Sequence, residues 1–370
     1  MPLKRITMAD VANVAKVHQT TVSLALRNDP RLPRATRLRL RALAESLGYR
    51  PDPMLSALNS YRTSRDAARS PPSMGFIRRS RANLPAENFF AVEQFLAGAR
   101  RAAERMGYRL ITFPIENTTA EGVRLGRILR SRGIWGIIIG ALDAGVRELS
   151  LDWDYFSGLC IESQHLGLSL HTVANNQSGS TRTAVRRLFE LGYRRIGLAV
   201  GEIEETSLGK PFTAGYLVEV HEYQGLRSLP PLLLRSDDPA ATAAKLGAWV
   251  RRHQIDAVLG NWSNIPDLLR LAGLDIPRDV GVATLDYNPH RGAIAGIRQS
   301  HELVGERAVE ALALLMKTNQ RGLISLPNTT LVDGLWQDGP DLPPKEKSLA
   351  KNAVPHRDSS RLNEAEGDNG

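Results

Sequence analysis

From residue 74 to about residue 316, short apolar runs alternate with longer amphipathic stretches, a pattern that few folds accept. The runs at 75–77, 109–113, 136–139, 158–161, 172–174, 195–200, 232–234, 257–259, 280–285 and 296–297 have the length of strands. Between them, 90–106, 120–132, 179–191, 240–253 and 303–316 carry apolar residues at helical spacing. Strands that alternate with helices in this way build a parallel, doubly wound sheet covered on both faces. Roughly 260 residues is much for one such sheet, so two lobes are expected, joined near 172–176 with a return near 296–300.

The first fifth of the chain is of another kind. Of 370 residues, the first 70 hold thirteen Lys and Arg against five Asp and Glu, so eight of the nine surplus positive charges sit there. A basic module that meets a polyanion, attached to a near-neutral body, has this distribution; a solvated basic face is the plainer alternative. Three short helices are expected in it. Thr7 can cap the first, whose Val11, Val14 and Ala15 are spaced to face one side. After a break at Val17-His18 the second covers 20–26 and stops at Asn28-Asp29-Pro30. The third carries Leu40, Leu43, Ala44 and Leu47 on one stripe, with Arg37, Arg39 and Arg41 off it, and ends at Gly48.

Tyr49-Arg50-Pro51-Asp52-Pro53 is an extended joint, because each proline biases the residue before it away from the helical region. Residues 54–61 allow two helical turns, too few to stand alone. The division expected is therefore a headpiece over 1–61, a polar, proline-ended linker over 62–73, a two-lobed body over 74–339 and a disordered tail over 340–370.

The helix pair in residues 7–27 has helix-turn-helix spacing. Ala12 is small where the helices would cross, Val11 and Val22 can share a core, and Thr20, Thr21 and Ser23 bring short hydroxyls to the outer face of the second helix. A helix so equipped suits a major groove, which it fits in width and reads with its first residues. The run from Ile6 through Asp10-Val11-Ala12 and Thr20-Thr21-Val22-Ser23 resembles the headpiece of the lactose-repressor (LacI/GalR) family, whose pattern is T-x-x-D-V-A-x-x-A-x-V-S-x-x-T-V-S. Thr36-Arg37 and Leu47-Gly48-Tyr49-Arg50-Pro51-Asp52-Pro53 resemble its third helix and joint.

That resemblance implies an N-terminal all-α helix-turn-helix headpiece followed by an α/β, periplasmic-binding-protein-like core of two doubly wound parallel-sheet lobes. It places His18, Gln19, Thr20, Thr21, Ser23, Leu24 and Arg27 on or beside the recognition helix, and Thr7, Arg31 and Thr36 on the DNA backbone. It also makes 54–58 a hinge helix whose Leu58 wedges into the central minor-groove step. A palindromic operator then requires a homodimer. Three departures from the pattern matter. Lys16 replaces a turn glycine and costs roughly 1 kcal/mol if left-handed. His18 replaces a serine and so weakens the cap of the recognition helix. Leu24 and Arg27 replace other readers, so the operator is expected to differ from the lactose type, with only apolar contact from Leu24.

The body carries weaker likenesses to the same family. Asn88-Phe89-Phe90 with Gly98 and Ala102, Val173-Ala174-Asn175-Asn176 with Gly179, and Ile297-Arg298-Gln299 with Gly305 resemble its first helix and its two crossovers. By resemblance Asp286 and Asn261 bind an effector, with Phe90 beside them and Trp262 able to stack on a sugar ring. Phe212 stands where the family has an arginine, which makes an ordinary sugar less certain; an effector pocket and a vestigial cleft both remain open.

Enzyme chemistry has little to stand on. Gly209-Lys210 runs into Pro211 and is no phosphate-cradling loop, and Ser178-Gly179-Ser180 is better read as a helix start than as a nucleophile elbow. The eight histidines lack metal-ligand spacing, and the single Cys160 reads as a small buried hydrophobe. No catalytic residue, metal or cofactor is expected. With neither a signal-peptide pattern nor an apolar run of membrane length, a cytoplasmic, nucleoid-associated protein is expected. The reading is a ligand-responsive homodimeric repressor, with operator DNA, its own copy and a sugar-like effector as partners. The rival is a cytoplasmic small-molecule binding protein or enzyme with a non-functional basic arm.

Overall fold

The computed structural model describes residues 6–26, 29, 31–49, 71–80, 86–115, 119–140, 142, 149–162, 167–235, 238–292 and 294–345. Arg27, the joint, the hinge segment with Leu58, the linker and the chain beyond Lys345 lie outside the described residues.

The headpiece is three helices: α1 Met8–Ala15, α2 Gln19–Leu26 and α3 Arg34–Ser46. Val11, Ala12, Val22 and Ala44 form its small core. Two residues behave otherwise than their spacing indicates. Val14 is 56% exposed, because the inward face of α1 runs through Val11 and Ala12. Arg37 is buried, since it stands three residues before Leu40 and so on the inward stripe. Gly48 takes the left-handed conformation, and Tyr49 N–H closes α3 on the Ala44 carbonyl at 2.9 Å.

The body holds two six-stranded sheets. The first contains β1 Ser73–Arg79, β2 Arg109–Ile115, β3 Gly136–Ile139, β4 Ser157–Ile161, β5 His171–Asn175 and β11 Thr329–Val332, in the order β11-β5-β4-β3-β1-β2. The second contains β6 Ile196–Gly201, β7 Leu232–Leu234, β8 Ala257–Gly260, β9 Gly281–Thr284, β10 Ala295–Arg298 and β12 Leu335–Gln337, in the order β12-β10-β9-β8-β6-β7. Every pairing is parallel except that of β10 with β12. The winding is thus the same in both lobes, with β1 between β2 and β3 and β6 between β7 and β8. All ten expected strand runs are strands. The sequence reading missed β11 and β12, and with them a third crossing between lobes at residues 332–335.

Helices α4 Ala86–Arg105, α5 Thr119–Ser131 and α11 His301–Lys317 cover the first sheet. Around the second lie α6 Gln177–Glu190, α7 Glu202–Ser207, α8 Pro211–Glu222, α9 Pro239–His253 and α10 Ile265–Leu271. Burial drives the packing: Ile137, Ile138 and Ile139 of β3 are all fully buried, and each such side chain contributes roughly 1.5–3 kcal/mol. Cys160 is buried beside them in β4, and burial pushes its thiol up to about 12, so it is inert at neutral pH.

The expected tail begins too early. Residues 340–345 dock on the second lobe: Leu342 is buried, Pro343 O accepts from the Tyr193 hydroxyl at 2.8 Å, and Lys345 N–H donates to Leu191 O at 2.8 Å. A composition rich in Pro and charge masks this single apolar anchor. Among the described residues no helix is long and apolar enough to cross a membrane.

Candidate nucleic-acid interface and interlobe cleft

In the headpiece, Thr7 caps α1 in a full capping box: its hydroxyl oxygen accepts from Asp10 N–H at 3.3 Å while its own N–H donates to Asp10 Oδ2 at 2.8 Å. Lys16 closes α1 at φ 53°, ψ 43°, the left-handed conformation that glycine takes without steric cost. Lys16→Gly is therefore expected to stabilise the headpiece by roughly 1 kcal/mol, seen as about fivefold slower amide exchange over residues 8–26. Unchanged exchange would show that the lysine carries no strain.

His18 caps α2 only at long range. It precedes α2, its carbonyl accepts from Thr21 and Val22, and its Nδ1 lies 2.6 Å from Thr20 Oγ1 and 3.4 Å from Thr20 N. The short contact is to the Thr20 hydroxyl, which the ring nitrogen orients, while the backbone N–H is reached only at long range, the weak cap expected of a histidine there. Gln19 and Thr20 are exposed at the start of α2; Thr21, Ser23 and Leu24 are half-buried farther along. Arg31 is exposed and forms a two-pronged pair with Asp29, at 3.0 and 2.8 Å. That hydrogen-bonded guanidinium holds the Asp29 carboxyl down to about 2. Thr36 is half-buried near the start of α3. What results is an exposed, hydroxyl- and amide-bearing helix start, with the Arg31 guanidinium exposed on the same headpiece, the equipment that base edges and phosphates require.

In the body, the winding sets where a ligand can sit. Where β1 parts β2 from β3, and β6 parts β7 from β8, neighbouring connections leave the sheet in opposite directions and open a crevice at the strands' carboxyl ends. Asn261 follows β8 at this point in the second lobe, and its Oδ1 accepts from Gly201 N–H, at the end of β6, at 2.9 Å. Its amide nitrogen is left to donate. Trp262 packs against Gly201 so closely that a Cβ there would overlap the indole nitrogen and the Glu204 carboxylate. Asp286 follows β9, the next strand, and its Oδ1 is 2.9 Å from His301 Nε2 at the start of α11. Phe90 of α4 stands edge-on to His301 and to His290, with ring centres 6.2 and 6.0 Å apart.

Asn261 and Trp262 thus share one strand end, and Phe90 and Asp286 meet through His301 at its neighbour. Buried polar atoms without a hydrogen-bond partner lie at the same ends of strands: Arg78 Nε at β1, Asn175 Oδ1 at β5, Glu204 Oε2 after β6 and Ser263 Oγ after β8. Such groups are costly unless a water or a ligand completes them. Phe212 takes no part. It is buried in the second lobe's core on α8, whose first N–H groups donate to the buried Glu205 carboxylate, at 3.3 Å for Phe212 and 2.9 Å for Thr213.

The sequence reading also missed Glu162, Asn175 and His301. Asn175 Nδ2 donates to Glu162 Oε1 at 2.6 Å and to His301 Nδ1 at 3.0 Å, which ties the ends of β4 and β5 to α11 and, through His301, to Asp286. One signal was available: His301, Val304, Gly305 and Ala308 follow a helical stripe, so a histidine opens an apolar face.

Comparison with known proteins agrees with both parts. Residues 7–52 match the bacterial regulatory proteins of the lacI family, and residues 185–334 match the periplasmic binding protein-like domain. The HTH-type transcriptional regulator PtxS of Pseudomonas plecoglossicida is 25% identical over 324 residues, spanning 85% of this chain and 91% of that one. The HTH-type transcriptional repressor PurR of Aliivibrio salmonicida is 23% identical over 324 residues, 83% of this chain and 91% of its own length. Among solved structures, a transcriptional regulator CelR–cellobiose complex has a TM-score of 0.58 at 19% identity, over 90% of this chain and 99% of that one. A lac repressor dimer bound to operator and the anti-inducer ONPF has a TM-score of 0.56 at 19% identity, over 92% and 100%. At these identities the two structures speak for the fold.

Proposed function

As a DNA-binding transcriptional regulator of the lacI family, with a periplasmic-binding-protein-like core behind its headpiece, this chain acts, we propose, as a ligand-responsive homodimeric repressor. The observation that carries the reading is the exposed start of α2, with Gln19 and Thr20 outward and Thr20 oriented by His18, inside a segment matched to the family's DNA-binding domain. Thr7, Arg31 and Thr36 hold the headpiece on phosphates; Gln19, Thr20, Thr21, Ser23, Leu24 and Arg27 face the base edges. Two copies read the two halves of a palindrome.

The effector enters the interlobe crevice. Asn261 donates to it, Asp286 accepts from its hydroxyls, and Trp262 and Phe90 flank an apolar ring face. Binding shifts operator affinity only to the extent that the ligand favours one lobe arrangement over the other. The cellobiose in the CelR complex supports a polyhydroxylated ligand class.

An electrophoretic shift against a pool of genomic fragments tests the function: a small set should be retained at protein concentrations that leave the bulk free. Equal retention of all fragments would contradict it. For the hinge, Leu58→Ala is expected to weaken specific binding by one to two orders of magnitude while altering non-specific binding little, because only the specific complex carries the unstacked step. Titrations on a retained fragment and on a scrambled one would separate the two, and equal losses would remove the wedge.

A further inference from the structure

Four residues from four places in the chain form one hydrogen-bonded line at the crevice. Glu162 ends β4 with a left-handed backbone at φ 54°, and its Oε1 accepts from both the N–H and the side-chain amide of Asn175, at 2.8 and 2.6 Å. The other amide proton of Asn175 goes to His301 Nδ1 at 3.0 Å. With Nδ1 accepting, His301 is the Nε2–H tautomer and donates to Asp286 Oδ1 at 2.9 Å. Glu162, Asn175 and His301 belong to the first lobe and Asp286 to the second, so the last bond spans the crevice. His301 is 5% exposed and Asn175 2%, while the Asp286 side chain is 35% exposed.

We infer that His301 is the positioning residue of the Asp286 carboxylate, and that Glu162, Asn175, His301 and Asp286 form a proton-operated latch between the lobes. The inference rests on the proposed role of Asp286 in the ligand site. His301 occupies Oδ1, so a ligand meets the carboxylate through Oδ2 in a fixed orientation.

The unpartnered Asn175 Oδ1 gives the latch a second state. When His301 takes a proton on Nδ1 it can no longer accept from Asn175, but half a turn of the amide brings Oδ1 to the new N–H. Glu162 then keeps the Asn175 backbone N–H but faces an amide oxygen in place of the side-chain donor, a repulsion that a proton on Glu162 relieves. The two protons, both from solvent, are therefore taken up together.

From α4, Phe90 and Phe95 lie edge-on to the imidazole, with ring centres at 6.2 and 4.9 Å, and His290 stands behind Phe90. On α11 itself, Glu302 and Glu306 are turned to Arg101. Among the described residues, Glu162 and Asp286 are the groups that face the ring with charge. Burial pushes His301 down, but the Asp286 charge and hydrogen bond, with Glu162 behind, outweigh it and hold the imidazole above its ordinary value of 6.5. Burial likewise pushes Glu162 up, past the opposing hydrogen bonds from Asn175 and the charge of His301.

Both shifts have the same sign. The ion pair across the crevice is at full strength below the ordinary histidine value and weakens to the neutral Nε2–H bond as pH rises through the raised one; the buried Glu162 adds a cost in the same direction once it ionises.

The test follows the imidazole carbon–proton signals of the full-length chain, labelled in its eight histidines, from pH 5 to pH 9. His301→Gln assigns the signal. The wild-type midpoint should lie above 6.5, Asp286→Asn should lower it, and Glu162→Gln should move it in the same direction. X-ray scattering across the same range should show the lobes held most closely at the low-pH end and relaxing as pH rises, with the change absent in His301→Gln. A midpoint at or below 6.5 that ignores Asp286→Asn, or scattering indifferent to pH in the wild type, overturns the latch. Neither readout needs an effector, so a crevice that binds nothing would remove the ligand reading and leave these results standing. An effector-binding protein whose His301 titrates independently would do the reverse.

Discussion

Deletion of residues 1–60 is expected to abolish sequence-selective DNA binding while leaving the two-lobed body folded. The headpiece has its own small core around Val11, Ala12, Val22 and Ala44, and the body's clusters are built from residues 74 onward. The deletion also removes most of the local charge surplus, ten Lys and Arg going with four Asp and Glu. Phosphate neutralisation supplies nearly all non-specific affinity, and on the proposed function base contacts from α2 supply the rest of the specific term. Loss should therefore reach three orders of magnitude or more in operator affinity, and non-specific retention should fall with it. Fluorescence anisotropy on a retained fragment measures the first effect, and a thermal melt of the truncated chain measures the second. A truncated chain that still selects its fragment would move the reading surface into the body.

The second large effect is expected from a single methyl group. Helices α4 and α11 cross at backbone contact, with Gly98 against the Glu302 carbonyl and Gly305 against Phe95. A Cβ on Gly305 would overlap the Phe95 carbonyl oxygen and lie 2.9 Å from Ala99 N. The obstacles are main-chain atoms inside two helices, so relief requires the helices to move apart. Their buried faces, with Phe95, Ala99, Ala102, Val304, Ala308 and Leu312, would then lose contact along their length. Gly305→Ala should cost roughly 3 kcal/mol, at the upper end for overpacking, and lower the unfolding midpoint of the first lobe accordingly. It should also misplace His301, one turn earlier on α11, so the imidazole titration would report the shift. Stability within about 0.5 kcal/mol of wild type would mean that the crossing is looser than its geometry.

The fold was readable wherever burial is complete. β3, β4 and β6 are buried at every position, and their Ile, Leu and Val runs announce them. β11 was not, because Thr329, Thr330 and Leu331 are exposed at the sheet edge and only Val332 turns inward. Helix α8 was hidden by its own first residue. Pro211 reads as a break in a Gly-Lys loop, whereas at the first helical position it costs nothing. Arg37 is a different failure: charge was weighed above position, although its place on the stripe of α3 decides its burial.

The site divides in the same way. The headpiece is a local object, its capping box and turn lying within a few residues, so composition and spacing suffice to find it. The crevice is assembled from strand ends far apart in sequence: Asn175 and His301 are 126 residues apart. No periodicity links such residues; only the shared winding of the two sheets brings them together. His18 marks the limit of pattern matching even locally, since its imidazole is held by the Thr20 hydroxyl, a contact that spacing alone does not announce.

Hydroxyl-radical footprinting of the full-length protein on a retained fragment tests the central claim most directly. The account predicts two protected half-sites related by a two-fold axis, their centres about one helical turn (~10 bp) or a multiple apart. A single protected block without internal symmetry, or protection that follows the fragment ends instead of a sequence, would contradict it.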